Sequence, residues 1–106
     1  MTNQPWLSIV TVVKDDEPGF RRTLQSLQGQ DLDGVEFVVI DSSANDQDIP
    51  VAMLDVPLSS EALWTPPAGI YAAMNEGLAR STGEYVYFLN AGDELHAGVL
   101  TKVHAA

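Results

Sequence analysis

The sequence contains no cysteine, and only five lysines and arginines stand against fifteen aspartates and glutamates. The absence of cysteine excludes disulfide bonds, a thiolate metal site and a cysteine nucleophile. The formal net charge of −10 opposes contact with phosphate backbones, so no nucleic-acid partner is predicted. No apolar run reaches the roughly eighteen residues that a membrane span needs, so no transmembrane segment is expected.

The first residues, MTNQPW, lack the basic region and apolar stretch of a signal peptide. Together with the missing cysteines, this predicts a cytoplasmic protein. Peripheral attachment to the inner face of the membrane is the alternative.

Three apolar runs predict β-strands: LSIVTVV over 7–13, VEFVVID over 35–41 and EYVYFLN over 84–90. The runs are continuous rather than alternating and are rich in β-branched or aromatic residues, which is typical of strands buried on both faces of a sheet. Between them, apolar residues at helical spacing predict helices over about 19–29 and 69–81. Alternation of strands and helices predicts one α/β domain with a mostly parallel sheet flanked by helices.

Other segments give weaker signals. Val51–Val56 is predicted to be a third, shorter strand, and the stretch bracketed by Pro57 and Pro66 is predicted to be irregular. A last helix is expected from Gly98 onward. The apolar residues of the two main helices are expected on one face of each: Phe20, Leu24 and Leu27 in the first, and Ile70, Met74 and Leu78 in the second.

Carboxylates follow three of the predicted strands: Asp15 and Asp16 after the first, Asp41 at the end of the second, and Asp93 after 84–90. In parallel α/β sheets, ligands bind at the carboxyl ends of the strands. Grouped like charges cost stability unless something binds them, and Mg²⁺ takes one or two carboxylates together with substrate phosphates. The pattern therefore favours a metal-bridged phosphate or nucleotide site. For any one of these acids, a helix or turn cap is the alternative.

Several other sites lack their residues. The chain has no glycine-rich phosphate loop with a lysine, no GxGxxG after a strand, and no GxSxG nucleophile motif. His96 and His104 do not have the spacing of metal ligands and are expected at the surface.

Three segments, LSIVTVVKDD, VEFVVIDSSAND and GIYAAMNEGLARSTGEYVYFLNAGDEL, resemble in order and spacing the conserved blocks of family-2 glycosyltransferases of the GT-A fold. The resemblance covers almost the whole chain. It is most specific in the last block, where GIY-x-AMN-x-G, TGEY and FLNAGD occur together.

The resemblance implies a nucleotide-diphospho-sugar donor held at the strand ends with Mg²⁺ or Mn²⁺. The end of the first strand would line the nucleotide pocket, and Asp41 would contact the base or ribose. The turn Asn90–Asp93 corresponds to the DxD-type metal motif, and Asp93 aligns either with its last acid or with the acid just after it. The substrate-binding residues implied are Thr11, Val12, Val13, Asp15, Asp41 and Asn90, and the metal-binding residue implied is Asp93.

The sequence departs from the family pattern D-x-GIY-D-AMN, because Pro67 and Ala72 replace the two acids. The loop after Asp41 is short, and the helix expected between Asp46 and the next strand is reduced or absent. Related enzymes also have a second half with the acceptor surface and the general base. Residues 1–106 are therefore expected to form a single donor-binding domain that lacks this half.

Three functions are consistent with these observations. The first is a glycosyltransferase domain that binds a nucleotide-diphospho-sugar for transfer to a glycan or lipid-linked acceptor, with a second chain or self-association covering the missing half. The second is a non-catalytic remnant or interaction module that keeps the fold, which the replaced acids favour. The third, a metal-dependent nucleotidyltransferase, lacks its glycine- and arginine-rich loop.

Overall fold

A computed structural model describes residues 4–54 and 59–105, which form alternating strands and helices. The strands are β1 (Leu7–Val13), β2 (Val35–Asp41), β3 (Ser59–Trp64) and β4 (Tyr85–Phe88). The helices are α1 (Glu17–Leu27), α2 (Asp48–Ala52), α3 (Ile70–Arg80) and α4 (Val99–Ala105). The structure confirms the predicted strands 7–13 and 35–41 and the two main helices, whose bounds move by at most two residues. It also confirms the last helix and the strand predicted over 84–90, which spans Tyr85–Phe88.

All strand pairs in the sheet are parallel, and the strand order is β3-β2-β1-β4. In register, Val13 of β1 lies beside Asp41 of β2, which lies beside Trp64 of β3. The carboxyl ends of these strands therefore meet at one edge of the sheet. The predicted fold class, an α/β domain with a parallel sheet flanked by helices, is confirmed.

The two faces of the sheet pack against different helices. On the face called here the α1 face, the odd-numbered residues of β1 and β2 pack against α1, α2 and α4. Phe20 and Phe37 lie at its centre, fully buried, with ring centroids 6.3 Å apart. On the opposite face, the α3 face, Val10, Val38 and Ile40 pack against Ala73 of α3.

The predicted third strand is wrong in position. Asp48–Ala52 is a short helix, Met53 and Leu54 form a turn, and the rest of Val51–Val56 lies outside the described residues. The strand is instead Ser59–Trp64, within the stretch predicted to be irregular. Pro50 is tolerated because it sits in the first turn of α2, where a backbone N–H has no intrahelical partner. The hydrophobic pattern could not predict β3, because β3 is an edge strand with an exposed glutamate and no buried run.

Two predictions about burial are also wrong. β4 is an edge strand, and Tyr85 and Tyr87 are 63% and 47% exposed. In α3 the residues buried against the sheet are Ala73 and Gly77, whereas Ile70 is half exposed. The physical reason is the close approach of the helix to the sheet: a Cβ at position 77 would lie 2.3 Å from Cγ1 of Val10.

A polar cluster closes the amino end of the α3 face. The carboxylate of Glu36 on β2 accepts hydrogen bonds from the Ser8 hydroxyl and from the backbone N–H and hydroxyl of Thr82, at 2.7 Å for the N–H. Burial raises the pKa of Glu36, but these hydrogen bonds outweigh it, and the net pKa lies below its ordinary value. The cluster ties the start of β4 to β2 across β1.

Candidate functional site

The loops after β1 and β2 are joined by a pair of hydrogen bonds. The backbone N–H of Asp15 donates to Oγ of Ser43 at 2.9 Å, and Oδ1 of Asp15 accepts from the N–H of Ala44 at 2.7 Å. Asp15 has a positive φ of 55°, which is uncommon for a residue other than glycine but best tolerated by aspartate and asparagine. The two contacts hold this conformation and fix the loops relative to each other.

Asp41 stabilises the loop that follows β2. Its side chain is almost fully buried, and its Oδ1 accepts a hydrogen bond from the N–H of Ser43 at 2.9 Å. The end of β3 contacts the same loop, because the indole N–H of Trp64 donates to the carbonyl of Ser43 at 2.9 Å. The hydroxyls of Ser42 and Thr65 are 3.3 Å apart. Asp41 therefore supports this loop and has little surface of its own to offer a ligand.

The turn after β4, Asn90–Asp93, is closed by its own polar groups. The N–H of Asp93 donates to the carbonyl of Asn90 at 2.9 Å, and Oδ2 of Asp93 accepts from the N–H of Asn90 at 3.2 Å. Gly92 has a φ of 95°, a conformation that favours glycine, so a carboxylate-bearing residue there would strain the backbone. Oδ1 of Asn90 is buried and has no hydrogen-bond partner within the described part of the chain.

A cleft of about 290 Å³ opens at the carboxyl end of the sheet on the α3 face. It lies between the ends of β1 and β2 and the start of α3, and an adjoining hollow of about 160 Å³ reaches Thr65 and Glu76. The residues around the main cleft are Val12, Lys14, Ser42, Pro67, Ala68, Gly69, Ile70 and Ala73. The walls are mostly apolar, with one ammonium group and one hydroxyl, a mixture typical of small-molecule sites.

Among the predicted nucleotide-pocket residues, only Val12 lines this cleft. Thr11 and Val13 are buried on the α1 face, and Oγ1 of Thr11 has no partner among the described residues. Lys14 and Ser42 were missed, although each directly adjoins a residue that the sequence singled out. Because Lys14 directly follows β1 and Ser42 directly follows β2, their positions could have indicated that they line a site at the carboxyl ends of the strands. The wall formed by the start of α3 could not be predicted from spacing alone.

The acids lie along one edge of the sheet without forming a cluster. Asp41 is on β2 and Asp93 follows β4, and β1 runs between these two strands. In residues 4–54 and 59–105, no group of three histidine, aspartate or glutamate side chains is arranged to hold a metal ion. Asp15, Asp41 and Asp93 each accept a hydrogen bond from a backbone N–H in the loops. The alternative interpretation, that these acids cap turns, describes Asp41 and Asp93, whereas Asp15 joins the loops after β1 and β2.

A divalent cation nevertheless fits the chemistry of the Asn90–Asp93 turn. Asp93 is exposed, and the hydrogen bond to Asn90 engages only one of its two carboxylate oxygens. Oδ1 of Asn90 is a second oxygen in the same turn, and it has no hydrogen-bond partner among residues 4–54 and 59–105. Mg²⁺ is commonly held by one or two carboxylates with substrate phosphates completing its ligands, so a single acid is compatible with such an ion.

The structure defines an α/β domain with a parallel sheet whose cleft opens at the carboxyl ends of the strands, the edge at which such sheets bind ligands. The sequence matches the family described as Glycosyl transferase family 2 over residues 8–106. The chain therefore belongs to glycosyltransferase family 2, as its sequence motifs predicted.

Individual relatives agree with this assignment. An uncharacterized glycosyltransferase of Mycobacterium tuberculosis is 36% identical over 96 residues, which are 88% of this chain and 36% of that protein. Two solved structures are each 25% identical in sequence to the present chain. S. aureus TarS 1-349 in complex with UDP has a TM-score of 0.77, covering 93% of this chain and 31% of that one. The mannosyltransferase PcManGT of Pyrobaculum calidifontis, in complex with GDP-Man and Mn²⁺, has a TM-score of 0.74, covering 84% and 28%.

The chain spans about a third of the length of these proteins. Within the part of the chain that is described, no helix is long and apolar enough to cross a membrane.

Proposed function

We propose that this chain binds a nucleotide-diphospho-sugar at the carboxyl end of its sheet, with the nucleoside in the cleft at Lys14 and Ser42 and the diphosphate near the Asn90–Asp93 turn. The observation that supports this most directly is the cleft itself, whose mostly apolar walls carry the ammonium group of Lys14 and the hydroxyl of Ser42. The solved structures in complex with UDP, or with GDP-Man and Mn²⁺, share this fold.

A divalent ion, Mg²⁺ or Mn²⁺, would be held by Asp93 with Asn90 and would supply positive charge to the diphosphate as it leaves the sugar. The need for such charge follows from the protein's own net charge of −10. Diphosphate and carboxylates repel each other, and a cation between them removes that repulsion. Asp15 and Asp41 act in this scheme by holding the Ser42–Ala44 loop at the rim of the cleft.

Residues 1–106 are proposed to be a donor-binding domain, with the acceptor site and the general base outside them. Transfer to a glycan or lipid-linked acceptor then depends on a further segment, a second chain or a second copy. A cytoplasmic location, with attachment to the inner face of the membrane as the alternative, stays a prediction of the sequence.

A non-catalytic role is the second candidate function. It is favoured by the acids at the strand ends, whose carboxylates hold turns and loops rather than converge. It is also favoured by the exposed Pro67 and Ala72, which stand where the family pattern has acids.

Calorimetry with UDP and with GDP, with and without Mn²⁺, distinguishes the two functions. The donor site predicts binding only with the cation, with a Kd on the order of 0.1–1 mM. Asp93→Asn keeps the size of the side chain but removes its charge, and should abolish the effect of Mn²⁺. Asp41→Ala should weaken the binding measured with Mn²⁺, because it loosens the Ser42–Ala44 loop.

The matched control is Asp31→Asn. Asp31 also accepts a backbone hydrogen bond, from Asp33 at 3.1 Å, but it lies near Trp6 and His104, away from the cleft. It should leave binding unchanged. Failure of the wild-type chain to bind either nucleotide at millimolar concentration with Mn²⁺ would favour the non-catalytic role.

A further inference from the structure

Thr23, in the second turn of α1, contacts the Asn90–Asp93 turn through its hydroxyl group. Its side chain is fully buried. Oγ1 lies 2.7 Å from the carbonyl oxygen of Asp93 and accepts a hydrogen bond from the N–H of Gly92 at 3.0 Å. One side-chain oxygen therefore contacts two successive residues of the turn, from a position about seventy residues away in the sequence.

A threonine in a helix often donates to the carbonyl four residues earlier, which would be a purely local role. Here that contact, to the carbonyl of Gly19, is 3.2 Å long, and the one to the carbonyl of Asn90 is 3.4 Å. A hydroxyl has a single proton to donate. The shortest of the three distances is the one to Asp93, so we assign the hydroxyl proton to the hydrogen bond with the carbonyl of Asp93. This bond joins α1 to the turn.

The start of α1 is itself fixed to the end of β1. Oδ1 of Asp16 accepts from the N–H of Gly19 at 3.1 Å and caps the helix. The N–H of Gly92, besides contacting Thr23, donates to the carbonyl of Gly19 at 3.0 Å. The first two turns of α1 thus connect the loop after β1 with the turn after β4. Direct contacts between the side chains of Asp15 and Asp93 are not needed for this connection.

We infer that the hydroxyl of Thr23 is a positioning group for the donor site: it fixes the backbone of Gly92 and Asp93 so that Asp93 is presented to a cation and a diphosphate. This inference rests on the proposed function, because the turn matters for binding only if the donor lies there. Thr23 itself touches neither ligand. It acts through the turn.

The test compares three variants of the full chain. Thr23→Val keeps the shape and removes the hydroxyl, whereas Thr23→Ser keeps the hydroxyl and removes a methyl group. Ser26→Ala is the matched control, because Oγ of Ser26 donates to the carbonyl of Thr23 at 2.7 Å on the same helix, without contacting the turn. If Thr23→Val does not fold, as judged by circular dichroism, Thr23→Ala takes its place and is measured at lower temperature.

Two quantities are measured: the affinity for UDP, or for GDP if UDP does not bind, in the presence of Mn²⁺, and the hydrogen-exchange rates of the Gly92 and Asp93 amides by NMR. Thr23→Val should weaken nucleotide binding about tenfold, the effect of one well-placed hydrogen bond, and should speed exchange at both amides. Thr23→Ser and Ser26→Ala should stay within about twofold of the wild-type affinity. A purely structural role would instead lower the stability of Thr23→Val without changing its affinity once folded.

The outcomes separate the inference from the function on which it rests. If the wild-type chain binds a nucleotide and Thr23→Val binds equally well, the inference is wrong and the proposed function stands. If the wild-type chain binds neither nucleotide, the proposed donor site is wrong. The exchange rates then test only whether Thr23 fixes the backbone of the turn. Faster exchange at Gly92 and Asp93 in Thr23→Val then supports positioning of the turn by Thr23, and unchanged exchange overturns it.

Discussion

On the α1 face of the sheet, three helices enclose a continuous core that includes Phe20, Phe37 and Ile49, all fully buried. On the α3 face, a single helix covers a few valines and isoleucines, and the cleft opens beside it. The first face stabilises the domain and the second leaves room for a ligand. A thin layer is expected beside the proposed donor site, because ligand sites are drawn from the less stable parts of a fold.

The most direct test of this difference uses two neighbouring valines of β2. Val39 lies in the α1-face core and Val38 in the α3-face core, and each is at most 1% exposed. Val→Ala removes two methyl groups, worth about 1.6 kcal/mol in transfer free energy alone. Val39→Ala should cost about 3 kcal/mol, because three helices prevent the cavity from collapsing. Val38→Ala should cost about 1.6 kcal/mol, because the open cleft beside the α3 face lets neighbouring side chains relax into the space. Urea denaturation measures both, and equal losses would contradict the comparison.

The spacing between α3 and the sheet can be tested at Gly77. A Cβ there would meet Cγ1 of Val10 at 2.3 Å and Cγ1 of Ile40 at 3.4 Å, and both partners are buried side chains in the sheet. Gly77→Ala should therefore destabilise the protein by about 2 kcal/mol, since overpacking outweighs the better helix propensity of alanine.

The Gly77→Ala/Val10→Ala double variant should recover part of the loss in a double-mutant cycle measured by urea denaturation. The control is Gly29→Ala, where the added Cβ has only ordinary contacts, the nearest at 3.7 Å. Strict additivity of the two substitutions would show that Gly77 and Val10 do not limit the approach of α3.

The smallest expected effect concerns the polar end of the α3 face. Because the fold lowers the pKa of Glu36, its carboxylate stabilises the protein above the ordinary pKa of 4.5, and this contribution is lost as pH falls through the folded value. Glu36→Gln should be less stable than the wild type by about 1 kcal/mol at pH 7. The difference should shrink below about pH 4.5.

Urea denaturation between pH 3.5 and pH 7 checks this, with the exposed Glu84→Gln as the control. If the difference in free energy of unfolding between the wild type and Glu36→Gln stays constant over this range, the hydrogen bonds of Glu36 stabilise the protein and its charge does not.

The parts of the fold that could be predicted are those where local sequence and burial agree. β1 and β2 are continuous apolar runs because both of their faces are covered, so their bounds follow from the sequence. β3 and β4 are edge strands with exposed side chains, so the pattern misplaced the first and overstated the burial of the second. At α3, the buried residues are small because the helix lies close to the sheet, and hydrophobic spacing cannot reveal such a distance.

The candidate site shows a similar division. Its edge of the sheet followed from the acids after the strands, and the family motifs gave the Asn90–Asp93 turn. That each acid accepts a backbone hydrogen bond depends on loop conformations that residue types alone do not specify. The side of the sheet on which the cleft opens depends on the packing of α3, and Thr23 had no signal because its partners are backbone groups far along the chain.

The backbone of Asp15 has a consequence for engineering this domain. A left-handed conformation costs an ordinary residue about 1 kcal/mol, and glycine would remove that cost. The same replacement would delete the hydrogen bond from Ala44, which contributes about as much. The two effects nearly cancel, so a search for more thermostable sequences would accept glycine at position 15 as neutral, although it removes one of the two hydrogen bonds that join the loops at the rim of the cleft. Melting temperature is therefore a poor guide at this residue, and libraries intended to retain ligand binding should keep it fixed.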